Sequence, residues 1–545
     1  MKLPSAARLQ RVELLLAIVL TLGLIGLHCM ALFSAGPLWR DEISSLTLAT
    51  KPTWREVWST LVYDPFPALF FTTLRTWHAL FGGTDFVLRV LGCLIGLICL
   101  AGFWISARWT NRGTPLLALA LLGLSPTLIV WGDSLRPYGL AVFSILLAYA
   151  GFWLAINEPR PINVLLATAA AVLAAQAIFT NAPLLLACGV SAAIVAARRR
   201  QWRRALIALG IGAVAALSLM PYASVLRATT DWAEIRKAPL PMAAHLEVLR
   251  EAVLNAGSIT VWLWITAAVI AIALALVSQI RPASGGTARD QRDLRLYSIV
   301  AGLLGSVATL MFFQRLQWPS NIWYFLPMLA LAAIAIDRIL DFGSASSAGI
   351  ILRLVLCVAC VLSSVTAAFT KVQVRASNLD VIASVLEKHA GKEDLIVIYP
   401  FVDGITFSRY YHGAAPFVTI PKIDDLSLHR WDQLVEQARH ENAIAPLLAR
   451  VNETLRSGHQ VWVATTFSLT APAGPPPAVH PLRDSAPHRI GYFLGGWGEQ
   501  FVANLREHVQ QRAPVNVALD QPVSRYERSR LFVFSGWKDS AAENR

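Results

Sequence analysis

Apolar runs of about 20 residues, the length that lets an α-helix cross the hydrocarbon core of a bilayer, recur along the chain and constrain its fold most strongly. Inside a bilayer only helices and closed barrels satisfy their backbone hydrogen bonds. With 55% hydrophobic and 15% charged residues among 545, the chain is not a soluble enzyme. We predict eleven membrane spans, near residues 12–34, 86–106, 114–131, 138–156, 162–179, 182–197, 205–224, 258–279, 296–314, 321–336 and 348–370.

Basic residues between these spans predict the orientation of the chain. Eleven spans place the N-terminus inside and the C-terminus outside, and loops on the cytoplasmic side carry an excess of Lys and Arg. Every loop that this arrangement assigns to the cytoplasm is basic: Lys2, Arg8, Arg11, Arg108, Arg112, Arg160, Arg198, Arg199, Arg200, Arg203, Arg204, Arg281, Arg289, Arg292 and Arg295. The net charge of +13 is therefore largely an orientation signal, which argues against nucleic acid as a partner.

Residues 67–82 are apolar but short, and they carry Arg75, Trp77 and His78 at helical spacing. If they formed a span, every later loop would change sides and the arginines of 198–204 would lie outside. We therefore predict an amphipathic helix in the outer interface. The first outer loop then covers about 35–85, and so long a loop against a membrane is more often functional than passive.

The composition changes near residue 372, where charges and prolines become more frequent. Short apolar runs at 395–399, 461–464 and 531–534 are typical of strands, and stretches near 376–390 and 427–457 are typical of helices. We predict a membrane module at 1–371 and an extracytoplasmic α/β domain at 372–545. All six cysteines lie in the predicted spans, so neither a disulfide framework nor a zinc site is indicated.

Polar residues collect at the ends of spans on the predicted outer side. Trp39-Arg40-Asp41-Glu42 directly follows the first span, and ionisable residues near lipid are functional candidates by default. Carboxylates suit a general base, and arginines suit a phosphate-bearing ligand. The candidates are Arg40, Asp41, Glu42, Asp64, Asp133, Arg136, Asn181 and Arg315. Each has a structural alternative: Asp41 as a helix cap, Asp64 as a turn residue before Pro65, Arg136 as an interfacial side chain and Asn181 as a helix-end residue.

The order of these motifs resembles the GT-C membrane glycosyltransferases, in particular the protein O-mannosyltransferases and the lipid A aminoarabinose transferase. The resemblance covers roughly residues 10–340. It rests on an ordered set of motifs: Asp41-Glu42 after the first span, Asp-Pro-Phe-Pro-Ala-Leu-Phe-Phe at 64–71, Leu-Phe-Gly-Gly-Thr-Asp-Phe-Val-Leu-Arg at 80–89, Ser125-Pro126, Arg136-Pro137-Tyr138 and Tyr324-Phe325-Leu326-Pro327.

The resemblance implies a sugar donor linked through phosphate to a polyprenyl lipid. Asp41 matches the catalytic acid of the family, Asp64 its acidic position before the proline pair, and Arg136 and Tyr138 its Arg-x-Tyr motif. The chain departs from the family pattern at Phe66, Ala68, Ser134 and Trp323. An arginine is common in the family at the position of Trp323, which leaves Arg315 as a substitute, and Tyr324 follows as a further substrate-binding candidate.

We therefore expect an enzyme of the inner membrane, a GT-C type hexosyl or pentosyl transferase with about eleven transmembrane helices. It would move a sugar to a lipid, glycan or protein acceptor on the outer face by an inverting displacement. Asp41-Glu42 is not an Asp-x-Asp pair, so we expect no obligatory cofactor and leave an optional divalent cation open. The alternatives are a lipid-linked saccharide transporter or flippase, which predicts charges at mid-span, and a glycan-binding receptor without chemistry.

Overall fold

The structure is a computed structural model that describes residues 5–111, 113–229, 235, 240–280, 286–341, 346–469, 475, 477–483 and 489–539. Lys2, Arg112 and Arg281 of the predicted cytoplasmic loops lie outside the described residues. The chain forms two compact units. The first comprises Met1–Ser34, Phe66–Ser224 and Pro239–Gln373, and the second comprises Ala35–Pro65, Val225–Ala238 and Val374–Arg545. The predicted domains 1–371 and 372–545 stay a prediction.

Helices account for most of the described residues before position 372. In order, the α-helices are Ala6–Ser34, Arg40–Ala49, Trp54–Thr60, Ala68–Phe81, Asp85–Asn111, Leu116–Ala118, Pro126–Gly132, Tyr138–Asn157, Pro161–Ala177, Asn181–Arg198, Trp202–Leu217, Ala223–Ala228, Met242–Leu254, Ser258–Ile280, Gly286–Leu316, Leu326–Ile339 and Ser347–Lys371. Short 3₁₀ turns occupy Leu61–Tyr63, Met220–Tyr222 and Ile322–Phe325, and a π-helical turn occupies Leu119–Gly123.

Nine helices of the described residues are long and apolar enough to cross a membrane. They are Ala6–Ser34, Asp85–Thr110, Tyr138–Asn157, Asn181–Arg198, Trp202–Ala228, Ser258–Ile280, Ala288–Leu316, Ile322–Ile339 and Ser347–Lys371. The chain is thus an α-helical polytopic membrane protein, as its hydropathy predicts. The short segment 67–82 is also helical, as Ala68–Phe81, and its place in the outer interface stays a prediction.

Two of the eleven predicted spans do not reach that length. The segment near 114–131 is interrupted where Ser125 adopts an extended conformation (φ −71°, ψ 122°) before Pro126. Proline has no N–H and disfavours the helical conformation of the residue before it, so the helix restarts as Pro126–Gly132. The segment near 162–179 is the 17-residue helix Pro161–Ala177. Small residues bring it against Tyr138–Asn157, because a Cβ on Gly151 would lie 3.0 Å from the Cα of Ala167.

A cluster of buried charges joins four segments of the first unit. Arg353 lies 2.8 Å from Glu13, 3.1 Å from Asp337 and 3.4 Å from Asp341. Arg338 pairs with Asp337 and lies 3.3 Å from Asp341. Both arginines also donate to the Thr114 carbonyl, and Asp337 accepts the Leu117 N–H at 2.8 Å. Buried charges of this kind are tolerated only when each is paired and hydrogen-bonded.

A mixed five-stranded sheet forms the centre of the second unit, in the order β2-β1-β3-β5-β4. The strands are β1 (Leu395–Tyr399), β2 (Phe417–Thr419), β3 (Val461–Thr465), β4 (Val509–Val515) and β5 (Arg530–Trp537). β1 runs parallel to β2 and β3, with Val397 opposite Val418 and Val463. β5 runs antiparallel to β3 and β4. The helices around the sheet are Leu379–His389, Asp403–Tyr410, Trp431–Arg439, Ala445–Arg456 and Ile490–His508.

This sheet confirms the predicted C-terminal α/β fold and all three predicted strands. β1 and β3 are buried along their whole length, which is why they read as continuous apolar runs. The helix predicted at 427–457 is two helices, because the chain turns between them at Asn442, whose φ is +54°. Sequence analysis missed β2, β4 and the helices Asp403–Tyr410 and Ile490–His508.

Arg353→Ala should destabilise the protein strongly, because it removes one of two cations that face three carboxylates, of which Glu13 and Asp337 are buried. We expect the free energy of unfolding in detergent micelles to fall by about 3–5 kcal/mol. Arg250→Ala is the matched control, since Arg250 and its partner Glu247 are both exposed, and it should change stability by less than about 1 kcal/mol. Equal effects of the two substitutions would contradict a structural role for the cluster.

Candidate active site

The helix Arg40–Ala49 of the second unit presents the first group of predicted residues. It begins after Trp39, whose backbone is extended (φ −100°, ψ 167°). The Trp39 N–H donates to Glu42 Oε2 at 3.2 Å, and the Glu42 side chain is buried beneath this turn. Acids in a first helical turn also interact favourably with the helix dipole. Glu42 is therefore the residue that caps the helix, whereas Asp41 is not, and the predicted role of Glu42 in substrate binding stays a prediction.

Asp41 is the more accessible of the two adjacent acids, with 21% of its side chain exposed. Its Oδ1 lies 3.1 Å from His429 Nε2 and 3.9 Å from Arg40 Nε. The His429 ring is stacked on Trp431, with 5.9 Å between centroids and 10° between planes. An Nε2–H on His429 donates to Asp41, which fixes the carboxylate while part of it stays open to solvent. The Asp41 carboxylate is thus both oriented and accessible.

Arg40 is partly buried against other residues of the second unit. Its guanidinium is 3.0 Å from Asp403 and 3.4 Å from Glu527, and it donates to the Tyr526 carbonyl at 2.9 Å. Burial raises the pKa of both carboxyl groups, and the single Arg40 charge only partly offsets this. The Thr406 hydroxyl also lies 2.9 Å from Glu527. Arg40 thus anchors its helix to this unit, and its predicted role in substrate binding stays a prediction.

Asp64 is buried, and its Oδ2 accepts a hydrogen bond from Ser45 at 2.8 Å. The hydroxyl of neighbouring Tyr63 donates to Asp432 at 3.1 Å. Burial and the Asp432 carboxylate raise the pKa of Tyr63. Arg430 lies 5.1 Å from the centre of the Tyr63 ring and 2.7 Å from Asp432. Residues 425–432 therefore hold both ends of the segment 40–64, because His429 contacts Asp41 as well.

Three other predicted residues lie together in the first unit, where the chain turns into the helix Tyr138–Asn157. Arg136 is buried, with its guanidinium carbon 4.7 Å from the centre of the Phe66 ring. Tyr138 contacts Phe66 edge-on at 6.3 Å and Tyr324 at 6.0 Å. Trp323 completes the group, 6.2 Å from Tyr138. Arg136, Tyr138 and Tyr324 thus form one cationic and aromatic cluster.

Asp133 and Arg315 have no described contact with this cationic and aromatic cluster. Asp133 Oδ1 is 2.7 Å from His28 Nδ1, and it lies so close to the helix behind it that a Cβ on Gly96 would approach it to 1.8 Å. The Asp133 carboxylate thus pairs with His28, and its predicted role in substrate binding stays a prediction. Arg315 is exposed in the last turn of Gly286–Leu316. Asn181 is fully buried and donates to the Ala141 and Ala174 carbonyls, as its structural alternative predicts.

Sequence analysis missed the partners of the predicted residues, namely His429, Asp403, Glu527 and His28. Their contacts join positions more than 100 residues apart, and no periodic pattern signals such a contact. His-Arg-Trp-Asp at 429–432 was the available signal, since it is a polar and aromatic run within the tail. Among the described residues no group of three His, Cys, Asp or Glu side chains could hold a metal ion, and the metal requirement stays a prediction.

Comparisons with known proteins find similarity among solved structures. No family model matches the chain, and no curated protein matches it. The similar structures include those of ArnT from Cupriavidus metallidurans, bound to undecaprenyl phosphate and in the apo state. Sequence identity is 13% and 14%, with TM-scores of 0.49 and 0.48, and each comparison covers 95% of this chain and 97% of that chain.

Replacing Glu527 should change how stability depends on pH. A carboxyl whose pKa is raised on folding stabilises the fold below its ordinary pKa, and this contribution is lost as the pH rises through the raised value. Glu527→Gln stays neutral and keeps an acceptor for the Arg40 N–H. We expect the variant to gain thermal stability relative to the native chain at alkaline pH, and to show no such gain near pH 5, about the ordinary range of a carboxyl.

The control for this measurement is Glu441→Gln, since Glu441 is exposed. Its difference from the native chain should stay flat across the same pH range. A flat difference for Glu527→Gln as well would show that this carboxyl is ionised in the folded protein.

Proposed function

We propose that the chain is a GT-C type glycosyltransferase that uses a polyprenyl-phosphate-linked sugar as donor. The acceptor is a hydroxyl of a lipid, glycan or protein on the outer face of the inner membrane, and Asp41 is the catalytic base. Three observations support the proposal: the nine apolar helices, the ordered motifs that resemble this superfamily, and the environment of Asp41.

The environment of Asp41 is the observation that carries the proposal. Of two adjacent carboxylates in one helical turn, Glu42 is buried as the cap. Asp41 is partly exposed and held by His429 at 3.1 Å. A purely structural acid pair would not need a histidine to orient its exposed member. A general base does need this, because proton transfer requires the carboxylate within hydrogen-bond reach of the acceptor hydroxyl.

The reaction needs few groups because a polyprenyl phosphate is already a good leaving group. The acceptor oxygen attacks the anomeric carbon, and the bond from that carbon to the phosphate oxygen breaks. The phosphate leaves with the electron pair, and the hydroxyl proton passes to the Asp41 carboxylate. Attack opposite the leaving group inverts the anomeric centre. No general acid is needed, and we propose that no divalent cation is obligatory.

Positive charge is needed where negative charge grows on the departing phosphate. We propose that Arg136 supplies it, since a guanidinium can bind a phosphate through two parallel hydrogen bonds. The aromatic faces around it, those of Phe66, Tyr138 and Tyr324, would exclude water from the phosphate. Arg315 is the second candidate for this role. It is exposed, and of the predicted cations it is the one nearest to Tyr324 in the sequence.

The test is a transfer assay with the purified full-length chain in lipid. Radiolabelled polyprenyl-phosphate sugars are offered singly, with lipid, glycan and protein fractions of the cell envelope as acceptors, and with EDTA present. Label in one acceptor fraction that depends on the chain supports the proposal and identifies the sugar. Equilibration of donor across vesicle membranes without transfer would instead support the transporter.

Asp41→Asn should abolish transfer while it leaves donor binding intact. The amide keeps the size of the side chain but cannot take up the acceptor proton, so the rate should fall by about 10²–10⁴-fold. Glu42→Gln is the matched control from the same helical turn. It weakens the cap and should lower thermal stability, with a much smaller effect on rate. A near-normal rate for Asp41→Asn would remove the proposed mechanism.

His429 should act as a positioning residue for Asp41. His429→Ala removes the hydrogen bond to the carboxylate and should lower kcat by about 10- to 100-fold, the worth of a charge-assisted hydrogen bond. His429→Gln keeps an N–H donor and should restore part of the rate. KM for the donor should change little in both. If Gln is as poor as Ala while both variants are fully folded, the histidine does more than orient Asp41.

Arg136 should act on donor affinity. Arg136→Ala should raise the donor Kd strongly, and Arg136→Lys should recover only part of the affinity because an ammonium lacks the bidentate geometry. The control is Arg75→Lys, an arginine of the helix Ala68–Phe81 outside the cluster. Binding is measured with a labelled polyprenyl phosphate. Unchanged affinity in Arg136→Ala, with a loss in Arg315→Ala, would assign the phosphate to Arg315.

A further inference from the structure

Five arginines lie between residues 198 and 204, where the helix Asn181–Arg198 turns into Trp202–Leu217. Two of them have structural partners. Arg199 lies 2.6 Å from Asp293 and 3.7 Å from the exposed Asp290. Arg204 donates to the Ile156 and Asn157 carbonyls at 2.7 and 3.1 Å, where it closes the end of the helix Tyr138–Asn157. These two residues therefore account for the packing of the turn.

The other three arginines, Arg198, Arg200 and Arg203, are exposed. Among the described residues none of them forms an ion pair with a carboxylate, and Arg198 donates to the neutral Gln279 side chain. Arg200 stands at the tip of the turn with φ +58°. Packing does not need three cations at this position. Their shared property is that all three are exposed within six residues of the chain.

An exposed aromatic residue lies among these arginines. Trp202 is 67% exposed at the first position of its helix. The same helix continues with Leu206, Leu209 and Leu217, which are all at least half exposed. A helix this apolar that spans a bilayer presents such leucines to acyl chains. Trp202 then lies at headgroup level, where tryptophan is enriched in membrane proteins.

We propose that Arg198, Arg200, Trp202 and Arg203 form a binding site for the headgroup of an anionic phospholipid. The phosphate pairs with the guanidinium groups, and the glycerol backbone and first acyl carbons contact the Trp202 ring. The net charge of the site selects an anionic lipid over a zwitterionic one, because a zwitterionic headgroup brings its own cation. The site lies within the first unit and is independent of the transfer reaction.

The experiment measures quenching of Trp202 by brominated lipids in vesicles that contain the full-length chain. Phosphatidylcholine vesicles carry a minor fraction of either brominated phosphatidylglycerol or brominated phosphatidylcholine. The chain has 18 tryptophans, so the Trp202 signal is the difference between the native chain and Trp202→Phe. One cation near the membrane surface favours an anionic lipid over a zwitterionic lipid by about fivefold. Brominated phosphatidylglycerol should therefore quench Trp202 at least about fivefold more effectively than brominated phosphatidylcholine. High salt should reduce the preference.

The variant Arg198→Gln/Arg200→Gln/Arg203→Gln should lose this preference and quench equally with both lipids. The control variant Arg8→Gln/Arg11→Gln removes two exposed arginines from another basic segment and should keep it. Equal quenching of the Trp202 signal by the two lipids overturns the proposal. Loss of the preference in the control also overturns it, since the effect would then follow net charge rather than this site.

Discussion

The arrangement of the first unit depends on the Asp337 carboxylate. It accepts hydrogen bonds from a backbone N–H at Leu117 and from Arg353, and it pairs with Arg338. A carboxylate in this position needs such partners, because an unpaired buried charge is strongly unfavourable. The partners come from separate parts of the chain. Each segment that supplies a partner must therefore be held at a fixed position along its axis. A single carboxylate thus fixes how these apolar segments align with one another, which non-directional hydrophobic contact alone does not do.

Three consecutive residues in the second unit show how one helical turn separates structural from chemical roles. Arg40 points inward to Asp403 and Glu527, and Glu42 folds back onto the backbone before it. Asp41, between them, reaches His429 and solvent. Successive residues of a helix point in different directions, so two neighbours can hold the turn rigid while the third stays accessible. The rigidity of Arg40 and Glu42 is what gives Asp41 a fixed position.

Sequence predicted most of the fold because its main determinants are local. Apolar runs identify spans, and fully buried strands such as β1 read as apolar runs too. Pro126 indicates a helix break at Ser125, but hydropathy averaged over a window does not detect it. β4 (Val509–Val515) is an exposed edge strand with polar residues, so it carries no hydrophobic signal. Of the predicted site, Arg40, Asp41 and Glu42 were found as a group, but their separate roles depend on contacts with residues far along the chain.

The second unit is built from segments that are synthesised at very different times. Arg40 is 363 residues from Asp403 and 487 residues from Glu527. At 5–20 residues per second, roughly 20 to 100 s separate the synthesis of Arg40 from that of its partners. An isolated helix of 10 residues is marginal in water. During this interval the helix Arg40–Ala49 therefore lacks the partners that anchor it, until the residues around Glu527 have been translated.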